Sequence, residues 1–377
     1  MVFGMTLWFS ATAATGPIAA EFHLTPGQTA WLTMAVQGGF VIGTLVAAIL
    51  NLPDIINPRQ LFAVGCIAGA AANAALVGAG SPALLIGCRV ATGVALACVY
   101  PPGMKIAAGW FDRRRGAALG FLIGALTVGS AFPHLLAAAS ARIAWRTLML
   151  FASGLALAGA AIVLSAVGDG PYVARSTRFD PRAVIRIFAN RATRMASLGY
   201  LGHMWELYAV WTWIAVFAAG SLRRGQDQGA PDSSPEGSAL AFVAIASGAV
   251  GSAAAGLVAD RVGKARVARW AMLASGTCAV LAGFTFGGSP IPLAVLAVVW
   301  GVAVVADSAQ LSALVAEHSP RDHVGTALTM QTCSGFLLTM VSIRLVPIVA
   351  GSIGWQWAFL CLAPGPFLGA LALRGLE

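Results

Sequence analysis

Apolar residues along this chain come in runs of about 20, the length a helix needs to cross a ~30 Å hydrocarbon layer. Twelve runs are legible, at 3–20, 29–50, 60–79, 82–104, 115–139, 145–167, 196–219, 238–259, 266–286, 291–316, 324–349 and 355–374. We number them segments 1 to 12. The ~10-residue apolar/polar alternation of a membrane barrel is absent. The pattern therefore predicts an all-α membrane protein of twelve transmembrane helices. Several runs contain Gly or Pro, which membrane helices tolerate when neighbouring helices re-satisfy the backbone.

Two polar interruptions are longer than the rest. Gly168 to Met195 divides the segments six and six. It contains Asp180-Pro181, a capping residue followed by proline at a first helical position. Pro181 to Arg194 then mixes Val184, Ile185, Ile187 and Phe188 with arginines, which predicts a short helix lying on the membrane surface. Ser221 to Gly237, rich in Gly, Pro, Ser, Asp and Gln, reads as a flexible linker. The expected organisation is a six-helix bundle over 1–167, a linker over 168–195 and a second bundle over 196–377.

The two halves repeat. RRRGAALGFLIG enters segment 5 and DHVGTALTMQTC enters segment 11, placing Gly116 on Gly325. Trp145 and Trp355 open the last segment of each half, and Asp54 and Asp260 follow segments 2 and 8. Parallel six-helix repeats are a transporter architecture with the substrate site between the repeats.

Composition narrows the class. Of 377 residues, 58% are hydrophobic and 10% charged, against about 25% charged in soluble domains, which excludes an ordinary soluble enzyme. The net charge is +9, yet the basic residues sit between apolar runs. They fit an anionic lipid surface rather than nucleic acid. With the N-terminus cytoplasmic, seventeen Lys and Arg fall on the cytoplasmic side and four (Arg142, Arg146, Arg223, Arg224) on the other. By the positive-inside rule both termini are cytoplasmic. Only Lys105 and Lys264 are lysine, and Ala and Gly are abundant, a composition that suggests a bacterial inner membrane. The first run leads to Glu21 without a basic lead-in or a small-residue cleavage site, so it reads as a retained helix. The six cysteines lie inside apolar runs without metal-ligand spacing and read as buried small hydrophobes.

Candidate chemistry is sparse. Of the 14 acidic residues only Glu206 and Asp307 lie inside segments. His203 and Glu206 share one face of segment 7 at i, i+3; Gln310 shares a face with Asp307 on segment 10. Intramembrane ionisable groups point to function, with a fixed polar network between helices as the alternative. Trp205 and Tyr208 lie too deep for belt anchoring and read as cavity wall or packing, whereas Trp213 reads as an interface anchor. Arg89 either faces water or a partner inside segment 4 or snorkels; Arg344 is expected to snorkel. Pro101-Pro102 should break the end of segment 4. No phosphate loop, nucleophile elbow or metal-binding His/Cys cluster is present, so no cofactor or ATP-driven step is expected.

GLVADRVGKAR after segment 8 resembles the loop motif of the major facilitator superfamily, through Gly256, Asp260, Arg261, Gly263 and Lys264. The likeness extends over essentially the whole chain. The first-half copy, LNLPDIINPRQ, keeps Asp54 and Arg59 but has Leu50, Ile55 and Asn57 where the motif has glycine, arginine and glycine. Arg89 followed by Gly93 resembles the family's fourth-helix arginine motif, linked there to proton coupling. Gly120, Gly124, Gly129 and Pro133 resemble the antiporter motif of the fifth helix, with Ala125 where that motif has proline. The resemblance implies that segments 1, 4, 7 and 10 line a central cavity and that Asp260 sits near Arg115 and Gly116.

The expected function is a proton-coupled secondary transporter of a small organic solute, a monomer working by alternating access, with export favoured. Glu206, Asp307 and His203 are expected to handle the proton, with Glu206 the favoured carrier and both carboxylates facing the cavity. Arg89, Trp205, Tyr208 and Gln310 are expected to contact the solute. Uptake of a small anion, as in nitrate or cyanate porters, is the alternative; a non-transporting sensor on the same fold is a further one.

Overall fold

The computed structural model describes residues 1–111, 115–139, 144–172, 179–223 and 234–376. Among them every regular element is a helix. Ten helical stretches are long and apolar enough to cross a membrane. Segments 1 and 7 fall outside that count. Segment 1 is interrupted: Val2–Met5, Ser10–Ala13 and Thr15–Phe22 are separate short helices. Segment 7, Arg191–Leu222, is one helix of 32 residues, but Tyr200, His203, Trp205, Glu206, Tyr208, Trp211 and Trp213 lower its mean hydropathy.

The uninterrupted elements are segment 2 (Pro26–Ile49), segment 3 (Pro58–Ala75), segment 5 (Arg115–Ala139), segment 6 (Trp145–Ala166), segment 8 (Pro235–Val262), segment 9 (Lys264–Thr285) and segment 11 (Val324–Ile353). Local sequence sets their ends. Thr25 and Gln28 form a capping box with Pro26 at the first position of segment 2. Asn190 accepts hydrogen bonds from the Ala192 and Thr193 amides and starts segment 7. That cap also shortens the expected surface helix. It runs from a turn at Pro181–Ala183 through Val184–Ala189 and stops there instead of reaching Arg194, because Asn190 is extended. Ala183 and Ile187 face inward and Ile185 outward, an amphipathic arrangement.

Segments 4, 10 and 12 are broken. Segment 4 divides into Pro82–Leu96 and Tyr100–Trp110, just ahead of Pro101-Pro102, whose rings cannot continue the preceding turn. Segment 10 divides into Pro290–Ala306 and Ser308–His318, with Asp307 at the break. No proline marks that break, and the sequence did not predict it. Segment 12 is a tight turn run over Trp355–Leu362 followed by Pro364–Leu373.

Ion pairs secure the ends. Lys105 Nζ meets Asp54 Oδ1 at 2.5 Å and also donates to the Pro53 carbonyl. Arg59 pairs with Asp169 at 2.9 Å, and Lys264 pairs with Glu317. Each half thus ties the loop after its second segment to the end of its fourth, with the charges reversed between halves. At the opposite end Arg146 clasps both oxygens of Glu21, at 2.9 and 2.5 Å, and Trp145 Nε1 donates to Glu21 Oε2 at 2.7 Å.

Arg113, Arg114, Arg142, Arg175, Arg178, Arg224 and the side chain of Arg115 lie outside the described residues, as does most of the Ser221–Gly237 linker.

Candidate functional site

Segment 7 is buried on nearly every side from Gly199 to Ser221, so its neighbours decide what each side chain does. His203 turns to segment 10. Its Nδ1 lies 2.8 Å from Asp307 Oδ1, a close contact outside straight hydrogen-bond alignment. Its Nε2 lies 3.0 Å from the Ser308 hydroxyl. A neutral imidazole protonated on Nδ1 faces the carboxylate with N–H and accepts from Ser308; an imidazolium presents N–H to both. The break at Asp307 brings the carboxylate and the following serine onto the same histidine.

His203 and Ser308 open onto a cavity of about 40 Å³ lined also by Tyr100, Thr127, Tyr208 and Trp211. These residues come from segments 4, 5, 7 and 10, so both halves of the sequence form its walls. It has room for a few waters but is far below the ~300 Å³ of a typical organic-ligand pocket. An aromatic cluster adjoins it. Trp8 stacks on Tyr208 at 5.6 Å and meets Phe336 at 5.5 Å; Phe40 meets Phe336 at 4.5 Å; Phe9 lies 5.7 Å from Trp211. The halves meet through these rings.

Neither carboxylate is placed as expected: Asp307 stands behind His203 and Ser308 rather than in the cavity lining, and Glu206 points elsewhere. Its Oε2 accepts from Ser275 at 2.7 Å and its Oε1 from Trp300 Nε1 at 2.7 Å. It joins segments 7, 9 and 10 inside the second half. Three residues along a helix turn a side chain by about 60°, enough to send His203 and Glu206 to different neighbours.

Arg89 does not line the cavity either. It is fully buried. Nε donates to the Leu32 carbonyl at 2.9 Å, one terminal nitrogen to Leu7 at 3.0 Å, and the other to Trp8. Ser10 and Asn73 stand close to the same guanidinium. The interruption of segment 1 frees the Leu7 and Trp8 carbonyls from a helical ladder, and Arg89 satisfies them, as buried backbone polar groups require. Neither snorkelling nor solute contact describes this arginine. Trp205 also points away, donating to the Cys361 carbonyl at 3.0 Å on segment 12. Gln310 is buried outside the cavity lining. Of the four expected solute contacts only Tyr208 lines the cavity. Trp213 is no interface anchor: it is buried and donates to the Ile343 carbonyl at 2.9 Å.

The model of the Major Facilitator Superfamily matches residues 1–225 and 225–376. The chain belongs to the Major Facilitator Superfamily. Its structure is similar to a crystal structure of the nucleoside transporter NupG, in a mutant form, with a TM-score of 0.73 and 13% identity. The match covers 100% of this chain and 97% of that one, a likeness of fold. No curated protein matches the sequence.

This member of the superfamily keeps the loop motif after segment 8. Gly263 reverses the chain at φ 93°, a conformation that favours glycine, while Gly256 is buried. Asp260 and Arg261 are exposed. Asp260 and Lys264 line a groove shared with Leu314, Glu317 and His318 of segment 10. The side chain of Arg115, the expected neighbour of Asp260, lies outside the described residues, as does the surrounding of Gly116. In the degenerate first copy, Lys105 supplies the hold that the missing glycines leave open. Gly120, Gly124 and Gly129 are contact points between helices: a Cβ on Gly120 would approach the Ser252 carbonyl oxygen to 2.9 Å and one on Gly124 the Ala249 oxygen to 3.2 Å. Gly129 faces the Val2 carbonyl, and Pro133 lies inside the same helix.

Sequence reasoning missed Ser275 and Trp300, the partners of Glu206, and Asn73, which joins Ser10 and Ser153 beside Arg89. Nothing marked Ser275 or Trp300 among many alike. Asn73, a side-chain amide inside an apolar run, was a usable signal.

Proposed function

We propose that this chain is a proton-coupled secondary transporter that moves a small organic solute across a bacterial inner membrane by alternating access. The observation carrying this reading is the contact of His203 with Asp307 and Ser308 at a cavity walled by both halves. A histidine–carboxylate pair stores one proton. Adding a proton neutralises the carboxylate or charges the imidazole, and either change alters the attraction between segments 7 and 10. Rocking the halves changes hydration and partners at the pair, which are the factors that set where a proton is taken and released. Glu206, tied to two neutral donors away from the cavity, acts in this reading as a positioning residue.

The proposed direction is export, on the likeness of segments 4 and 5 to antiporter helices. Anion uptake loses its support because Arg89, the cation that would hold a carboxylate, is spent on backbone carbonyls. No Lys or Arg lines the cavity among the described residues. An uncharged organic solute suits these walls better, and the structural neighbour is named as a nucleoside transporter.

The reading is tested with purified protein in sealed vesicles. An imposed pH gradient should drive solute accumulation, and solute addition should move protons. Solute flux indifferent to the gradient would remove the coupling from the proposal.

A further inference from the structure

Four buried polar groups around the aromatic cluster have no protein partner. Both amide atoms of Gln37 are unpaired, as are both of Gln331 and the indole nitrogens of Trp8 and Trp211. All four side chains are nine-tenths or more buried. Proteins pair the great majority of such groups, so each exception calls for an explanation. Other unpaired atoms, such as both ring nitrogens of His134 and the Thr44 hydroxyl, are placed elsewhere, but these four side chains come from segments 1, 2, 7 and 11 and so from both halves.

Their placement converges. Trp8 lies against Phe40, Tyr208 and Phe336, and Trp211 against Phe9 and Tyr208. Gln37 stands one turn from Phe40 and one turn from Thr33, on the same face of segment 2. Thr33 hydrogen-bonds Thr12, so that face is turned to segment 1, which carries Trp8. Gln331 stands one turn before Gly335, which packs against Tyr200 and Met204 of the cavity wall.

We infer that Gln37, Gln331, Trp8 and Trp211 form the recognition set for an uncharged, planar solute that carries both hydrogen-bond acceptors and donors, such as an amide- or imide-containing heteroaromatic ring. The indoles only donate, so the solute supplies acceptors; each glutamine offers an acceptor and two donors, so it also supplies a donor edge. The rings of Tyr208 and Phe336 provide stacking faces for a flat molecule. Among the described residues no Asp, Glu, Lys or Arg lines the cavity, and the carboxylate beside it, Asp307, is turned to His203. The cavity is too small for such a solute as it stands, so the set engages when the halves separate. This inference rests on the proposed transport function and names the solute class for it.

The test is solute binding to the purified full-length chain, read by thermal shift and titration, with uracil, adenine and nicotinamide as neutral planar probes. Nicotinate and benzoate are the anionic counterparts and benzamidine the cationic one. At least one neutral probe should bind, and the charged ones should not. Gln37→Leu and Gln331→Leu should each weaken the neutral probe about tenfold while unfolding at no lower temperature than the parent, because each removes an unpaired buried amide. Gln37→Met and Gln331→Met serve where a leucine variant fails to fold. Binding of charged probes alone, absence of neutral binding, or unchanged affinity in the variants would each overturn the inference. Binding needs no proton gradient. Intact binding without coupled transport would therefore sink the transport proposal alone, and coupled transport of a charged solute would sink only the solute class.

Discussion

Trp300 donates its indole N–H to Glu206 Oε1 at 2.7 Å, while Ser275 holds the other oxygen. The carboxylate therefore links three helices of the second half away from the cavity. Glu206→Gln keeps an acceptor for Trp300 and should change stability by no more than about 1 kcal/mol, with proton-driven transport retained. Glu206→Leu strands both donors and should cost about 2–4 kcal/mol. Unfolding in detergent measures both. A well-folded Glu206→Gln protein that has lost coupling would return Glu206 to the role of proton carrier.

Arg89 replaces missing helical hydrogen bonds at Leu7 and Trp8 of segment 1. Arg89→Met removes the donors to the Leu7, Trp8 and Leu32 carbonyls, strands that of Trp8, and should destabilise the protein by about 3 kcal/mol or more. Arg89→Lys should recover only part of that, since an ammonium cannot span the same carbonyls as a planar fork. Solute affinity per folded molecule should stay near that of the parent. A specific loss of affinity at normal stability would place Arg89 back at the solute.

Glu21 sits outside the spanning segments, and hydrogen bonds from Arg146 and Trp145 hold its carboxyl below the ordinary value of 4.5. A folded-state pKa lowered in this way contributes stability above the unfolded pKa, and that contribution disappears as pH falls through the folded value. Unfolding temperatures should therefore drop on acidification below about pH 4.5. Glu21→Gln should lose part of the stability at neutral pH and show a shallower acid drop. Superimposable acid profiles would show that the clasp adds nothing.

The sidedness inferred from Lys and Arg gives a labelling pattern. A cysteine at Ser289, on the same side as Glu21, should react with an impermeant thiol reagent added outside cells, and one at Arg321 should not. The reverse pattern would invert the topology.

Much of the fold was legible because apolar run length and proline position are local signals. The break before Pro101-Pro102 and the reversal at Gly263 both follow from single residues. The break at Asp307 was not legible, since no proline or glycine marks it. Site assignment was partly legible. Residue type picked out His203 and Asp307 from the segments, but segment 7 is buried all round. Periodicity therefore could not tell the face toward segment 10 and the cavity from the face toward Ser275. Arg89 misled for a related reason: two of its acceptors, the Leu7 and Trp8 carbonyls, are freed by an interruption of segment 1, which side-chain identities do not reveal.

The central claim is that the His203–Asp307 pair carries the coupled proton, and Asp307→Asn tests it most directly. A neutral amide mimics the protonated carboxyl. In sealed vesicles, with whichever neutral probe binds the parent protein, the variant should lose accumulation driven by a pH gradient. It should retain solute exchange and downhill flux. Full pH-driven accumulation by a well-folded Asp307→Asn protein would contradict the account.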